Sequence, residues 1–91
     1  MRFEWDPWKA DRNLLKHGVS FPEASTIFGD PLAATLPDPA HSELELRLVT
    51  MGLSSAGRLL IVAHIEDDEG IRIISAREAT APERRRYESG T

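Results

Sequence analysis

Ile71-Arg72-Ile73-Ile74-Ser75-Ala76-Arg77 decides how this 91-residue chain is read. The run has the β-branched, apolar character of a strand, and it carries two guanidinium groups out of a water-excluding core. Side chains alternate across a strand. Strict alternation therefore puts Ile71, Ile73, Ser75 and Arg77 on one face and Arg72, Ile74 and Ala76 on the other, so that each face ends in an arginine. Directly afterwards, Thr80 and Glu83 have the spacing of a capping box, with Pro82 in the first turn of a short helix that carries Arg84, Arg85, Arg86 and Tyr87.

Working backwards, Asp67-Asp68-Glu69-Gly70 reads as the turn into this strand. Residues 59–65 are nearly continuous apolar sequence, as expected of a central strand covered on both sides. His64 interrupts them and is expected to be a hydrogen-bonded core histidine. Ser54-Ser55-Ala56-Gly57 reads as a second turn, preceded by a strand in which Leu44, Leu46 and Leu48 alternate with Glu43, Glu45 and Arg47 before Val49, Met51 and Leu53. Three consecutive antiparallel strands result. Another strand fits residues 32–36, broken by Pro37-Asp38-Pro39, and His41 falls in a loop.

At the N-terminus, Phe3-Glu4-Trp5 is a short strand candidate. Asp6 is placed to cap a helix over residues 7–17, with Pro7 at its first position and Gly18 at its end. Lys9, Arg12, Asn13 and Lys16 share one stripe of this helix, about 100° wide. His17 lies at the edge of that stripe, and Ala10, Leu14 and Leu15 lie opposite. Ser20-Phe21-Pro22-Glu23 has the spacing of another capping box, with Val19 placed to staple against Ala24. Phe21, Ala24, Ile27 and Phe28 then recur at helical spacing until Gly29-Asp30-Pro31 ends the element. The fold class is therefore α+β: one domain over residues 1–91, with an antiparallel sheet of three to five strands packed by two N-terminal helices and a short C-terminal helix.

The chain has no cysteine, which fits a reducing compartment, and no apolar run of the ~18 residues that cross a bilayer. A cytoplasmic location is expected. The net charge of -4 is unevenly distributed: residues 1–18 hold four basic and three acidic groups, residues 19–70 two and nine, and residues 71–91 five and three, giving +1, -7 and +2. If the two ends meet, they make a local cationic patch within an acidic protein, and a phosphate responds to the local field within a Debye length of about 8 Å.

No zinc motif, phosphate loop or serine triad is present. His17, His41 and His64 lack ligand spacing, and no metal or cofactor is expected. The remaining inventory of arginine, lysine, histidine and tyrosine suits a phosphodiester. RNA brings its own nucleophile, the 2′-hydroxyl, so a protein need only orient it, move its proton and stabilise charge on the phosphate. The same residues also fit a merely solvated basic face.

Several ordered blocks carry a family resemblance over nearly the whole chain. They are Phe3-Glu4-Trp5-Asp6 with Lys9 and Asn13, then Lys16-His17-Gly18-Val19-Ser20-Phe21 with Ala24, then Asp30, Gly52 and Gly57-Arg58-Leu59-Leu60. The last block is Ile71 to Arg77, followed by Glu83-Arg84 and Tyr87. Together they resemble the BrnT toxins of type II toxin–antitoxin pairs. The resemblance implies a RelE-like ribonuclease fold, metal-independent RNA cleavage that stops translation, and an antitoxin with a ribbon-helix-helix DNA-binding module that represses the shared operon together with the toxin. It also implies Arg77 and Arg72 at the phosphate, with His17 and Tyr87 near the scissile group. Lys9, Lys16, Asn13 and Arg58 are then expected along the RNA. The acidic turn at residues 66–69 departs from the family, which often carries basic residues there. A non-catalytic corepressor module for a DNA-binding antitoxin is the alternative, and a stand-alone structural domain is a third reading.

Overall fold

Each helix start is set by the side chain that precedes it. In the computed structural model of the chain, which describes residues 1–38 and 46–90, the Asp6 carboxylate accepts from Trp8 N at 2.8 Å and opens α1, Pro7–His17. Gly18, at φ 68°, closes it. Ser20 Oγ accepts from Glu23 N and opens α2, Phe21–Ser25, which tightens into a 3₁₀ turn at Thr26–Gly29. The single second helix expected from spacing is thus two pieces. Ser25 and Thr26 explain the change, because their hydroxyls bond back to Pro22 O and Glu23 O and compete with the α-helical ladder.

The strands are β1, Phe3–Glu4; β2, Ala34–Pro37; β3, Arg47–Leu53; β4, Leu59–Asp67; and β5, Gly70–Glu78. They form one sheet in the order β1-β5-β4-β3-β2. The three expected antiparallel strands are adjacent in it, and β2 extends them antiparallel. The β1–β5 pair is parallel, so the sheet departs from the all-antiparallel expectation at one edge. β2 begins two residues later than expected because Asp30 folds the residues before it into a turn, accepting Leu32 N on Oδ1. The capping box of Thr80 and Glu83 is complete and starts α3, Ala81–Ser89. His41 and the expected strand start at Leu44 lie outside the described residues.

β5 departs from strict alternation. Ala63 of β4 is opposite Ser75, but the next residue, His64, is opposite Ile73, so Ile74 has no counterpart. Such a bulge shifts the phase of the strand by one residue. Ile71, Ile73 and Ala76 are consequently buried together on one face. Arg72, Ser75 and Arg77 pair with Ile65, Ala63 and Ile61 on the other. The two arginines therefore share a face, contrary to the sequence expectation.

The buried face of the sheet packs against α2 and its 3₁₀ extension. Val19, Phe21, Ala24 and Ile27 meet Leu60, Val62, Ile71, Ile73 and Ala76, with Phe3, Trp5, Ala10 and Phe28 packed around them. Each large side chain buried this way stabilises by about 1.5–3 kcal/mol. Gly52 permits the approach, since a Cβ there would stand 3.1 Å from both Ile27 and Ala33. At the opposite edge, Gly70 has φ 137° and no room for a Cβ beside Arg2 O, which accepts from Ile71 N.

α1 is held differently. Leu15 is 89% exposed, Leu14 and Trp8 are also exposed, and Asn13 is the buried residue of the helix. The reason lies in the edge of β5, where β1 stops at Glu4 and leaves backbone groups without a strand partner. Asn13 completes them: Nδ2 donates to Ala76 O at 2.8 Å, and Oδ1 accepts from Ala76 N at 3.0 Å. Nδ2 also donates to Val19 O at 2.9 Å, which ties the α1–α2 connection into the same knot.

His64 is a hydrogen-bonded core histidine, as expected. Its Nε2 is 2.7 Å from Thr50 Oγ1, which is 2.6 Å from Thr35 Oγ1, and Phe28 packs edge-on against the ring. Burial lowers its pKa to about 4.

Asn13→Ala leaves Val19 O and both Ala76 groups without a partner and should lower the unfolding free energy in urea titrations by about 3 kcal/mol. Lys9→Ala should stay within about 0.5 kcal/mol of wild type; equal stability of the two variants would contradict the assignment. The His64 ring favours its neutral form in the fold, so its contribution is complete above the ordinary pKa of 6.5 and is lost as pH falls toward 4. The loss is on the order of 3 kcal/mol. His64→Gln should flatten the slope of stability against pH in that window.

Candidate nucleic-acid interface

The sheet face turned away from α2 carries Arg72, Ser75 and Arg77 of β5, Ala63 and Ile65 of β4, and Arg47 and Val49 of β3. A row of hollows follows it. Lys9, Arg12, Lys16 and His17 of α1 line one of ≈ 310 Å³ with Ile74 and Ser75. A second, ≈ 210 Å³, shares Lys9 and Ile74 and adds Arg72 and Arg47. A third, ≈ 370 Å³, shares His17 and Ser75 with the first and is closed by Arg77, Asp38, Ile61 and Val49. Beyond Arg77 lies an apolar hollow of ≈ 420 Å³, lined by Leu36, Val49, Met51 and Ile61 and rimmed by Glu83 and Arg86. Because neighbouring hollows share walls, they form one cleft that is cationic along α1 and apolar toward α3.

Five of the expected residues thus meet: Lys9, Lys16 and His17 from the first helix, Arg72 and Arg77 from the last strand. The bulge at Ile74 and the Asn13–Ala76 contact bring them together, the first by turning both arginines to one face and the second by laying the basic stripe of α1 along it. Asn13 borders the same cleft, but its amide is engaged by backbone on both ends.

Arg58 lies elsewhere. Its Nε and Nη2 donate to the two Glu23 carboxylate oxygens, Nη2 also donates to Gly18 O at 3.0 Å, and Nη1 donates to Glu78 Oε1 at 3.0 Å. Hydrogen bonding to Glu23, then to Glu78, raises the guanidinium pKa above its ordinary value, and the Arg58 bonds hold the Glu23 carboxyl below its own. The capping box expected at Ser20 is half formed for the same reason, since the Glu23 carboxylate is taken by Arg58 and Ser54. The arrangement clamps α2 and the end of α1 to the β3–β4 turn and to β5.

Tyr87 is also outside the His17–Arg77 hollow. Its hydroxyl donates to Asp30 Oδ2 at 2.6 Å, fastening α3 to the turn before β2. That bond raises the phenol pKa. Burial alone would raise the Asp30 pKa, but the bonds from Tyr87, Leu53 N and Leu32 N outweigh it and leave the carboxyl below its usual range.

Arg77 is held by Glu83. Nη1 and Nη2 donate to Oε1 and Oε2 at 2.8 and 3.0 Å, and Nη1 also donates to Glu78 O at 3.1 Å. The Arg77 bonds, with smaller help from Thr80, lower the Glu83 pKa to about 2. Sequence spacing showed Glu83 as a cap; that it lies beside Arg77 becomes visible only once β5 and α3 are folded against each other. Arg47 was legible only as a residue on the wet face of its strand. Its register opposite Ile65, itself opposite Arg72, places it in the cleft. Asp38 adds a carboxylate to the wall.

Among the described residues, no group of three or more His, Cys, Asp or Glu side chains converges as a metal site, and no helix is long and apolar enough to cross a membrane.

No curated protein sequence matches the chain. The crystal structure of the Brucella abortus ribonuclease toxin BrnT shares the fold, with a TM-score of 0.68 at 24% identity over 88% of this chain and 97% of that one. The family model described as the ribonuclease toxin BrnT of type II toxin–antitoxin systems matches residues 5–83. The conjunction of that match with the α+β fold and its five-stranded sheet establishes that the chain belongs to the BrnT family of ribonuclease toxins.

Proposed function

We propose that this chain cleaves RNA without a metal ion, acting as the toxin of a type II pair in the cytoplasm and arresting translation. The observation that carries the reading is the meeting of His17 and Arg77 in one hollow, continuous with the hollows of Lys9, Lys16 and Arg72. An imidazole that can move a proton and a guanidinium that can stabilise phosphate charge, lining the same hollow, suit 2′-hydroxyl attack. The 2′-oxygen bonds to phosphorus as its proton leaves to a base, and the P–O5′ bond breaks as the departing oxygen takes up a proton. The products are a 2′,3′-cyclic phosphate and a 5′-hydroxyl.

In this scheme His17 transfers a proton, and Arg77 stabilises the charge that accumulates on the nonbridging oxygens, with Arg72 on the neighbouring phosphate. Lys9 and Lys16 attract the backbone along α1. Arg58, Asn13 and Tyr87, expected to contact substrate, instead serve the scaffold, because their polar atoms are already engaged by protein partners. The antitoxin is a small protein with a ribbon-helix-helix module that covers the cleft and, together with the toxin, represses their operon.

The purified chain should cleave single-stranded RNA in EDTA and leave cyclic-phosphate ends. Arg77→Ala should reduce the rate by about 10²–10³, and His17→Ala by about 10²–10⁴. Arg58→Ala should reduce thermal stability while leaving cleavage at permissive temperature within about threefold, since a group outside the cleft contributes no transition-state contact. RNA left intact by folded wild-type protein that still binds its antitoxin would select the corepressor reading.

A further inference from the structure

A guanidinium has two edges able to grip an anion with parallel bonds: one made by Nη1 and Nη2, the other by Nε and Nη2. In Arg77 the Nη1/Nη2 edge is filled by Glu83, and Glu78 O takes the other Nη1 proton. What remains is the Nε–H and the Nη2–H beside it, an intact fork with no acceptor among the described residues. Glu83 is itself held, since its Oε1 accepts from Thr80 N at 2.8 Å and its own N–H points at Thr80 Oγ1. The start of α3 thereby fixes the carboxylate, and the carboxylate fixes the plane of the guanidinium.

Resting on the ribonuclease reading above, we propose that Glu83 is a positioning residue: by holding one edge of Arg77 it presents the other edge to the nonbridging oxygens of the scissile phosphate. Glu83 does not touch the substrate. Its effect is geometric, because an arginine side chain left to itself samples many rotamers, and a displacement of about 1 Å from the productive geometry costs as much as 10²-fold in rate. Glu83 also remains ionised well below neutral pH, so the brace persists wherever the enzyme works. The arrangement explains why a carboxylate lies beside a phosphate-binding arginine without displacing the phosphate: the two anions use different edges.

The test compares Glu83→Gln, Glu83→Ala and Thr80→Ala in the full chain, with two readouts. The first is the pattern of Arg77 Nη–Hη signals in nitrogen-15 NMR of the free protein, which resolve separately only when rotation about the Cζ–Nη bonds is restrained by the Glu83 bonds. The second is steady-state cleavage of a fluorogenic RNA. Glu83→Ala should merge the separate Arg77 signals and lower kcat by roughly 10²-fold with KM changed less than about threefold. Glu83→Gln keeps an oxygen for Thr80 N and one arginine bond, so it should recover about tenfold of that loss. Thr80→Ala removes only the Oγ1 acceptor and keeps the backbone N–H that holds Glu83 Oε1, so both readouts should stay near wild type.

Adding Glu83→Ala to Arg77→Ala should cost nothing more. A kcat within threefold of wild type in Glu83→Ala, or a rise, would overturn the proposal, the rise by showing that Glu83 competes with phosphate. If Glu83→Ala fails to fold, Glu83→Gln decides by the same criteria. If folded wild type cleaves no RNA, the ribonuclease reading fails by itself. The NMR comparison then still decides whether Glu83 orders Arg77, and an unchanged pattern in Glu83→Ala would overturn that part too.

Discussion

The pairing of the Asn13 amide with both backbone groups of Ala76 is the constraint on which the cleft depends. An amide side chain presents a donor and an acceptor in the arrangement of a peptide group, so Asn13 takes the place of a neighbouring strand where β1 has ended. The contact is local in energy but long-range in consequence. It sets the rotation of α1 about its axis, and with it the positions of Lys9, Lys16 and His17 relative to β5. Hydrophobic packing alone favours another orientation, because Leu14 and Leu15 lie on the opposite side of the helix and remain exposed. Leaving Val19 O and both Ala76 groups without partners would cost about 1–3 kcal/mol each, which offsets the gain from burying two leucines.

The bulge at Ile74 is the second determinant, and it acts through phase. Without it Arg72 and Arg77 would occupy opposite faces, and one of them would point into the core beside Ile71 and Ile73. With it, the odd spacing of five residues between the arginines becomes compatible with a shared face. The same shift returns Ala76 to the buried side, where a small residue suits the approach of Asn13. Sequence choice at positions 74 to 77 is thus coherent only in the bulged frame.

Most of the fold was legible because its signals are local. Asp6 with Pro7, Gly18, Ser20, and Thr80 with Glu83 mark helix ends through bonds made within a few residues, and the alternation around Leu48 and Val49 marks a strand without reference to its partners. What escaped was decided at a distance. A bulge in Ile73-Ile74 looks like one more apolar residue until β4 is alongside. The burial of Asn13 depends on a strand 63 positions away. The basic residues of the cleft were identified by type, but Arg58, Asn13 and Tyr87 were identified in the same way, and only their partners separate the two groups.

Arg58 and Arg77 make that separation concrete, since both are ion-paired and both have strongly held guanidinium groups. Around Arg58, Glu23 takes the Nε/Nη2 edge, Gly18 O the other Nη2 proton and Glu78 one Nη1 proton, leaving no pair of parallel donors. No phosphate can be gripped there without dismantling the clamp that joins α2 to the sheet. Around Arg77 a complete edge survives. A salt bridge therefore need not occupy every donor of an arginine, and among the described residues the one at Arg77 leaves the Nε/Nη2 edge open. Glu23, Glu78 and Glu83 are engaged by arginine, and Asp30 by Tyr87, so these four carboxylates are matched within the protein. The field along α1 is set by the charges within a Debye length of about 8 Å, and there Lys9, Arg12 and Lys16 line one hollow while Asp6 enters the next.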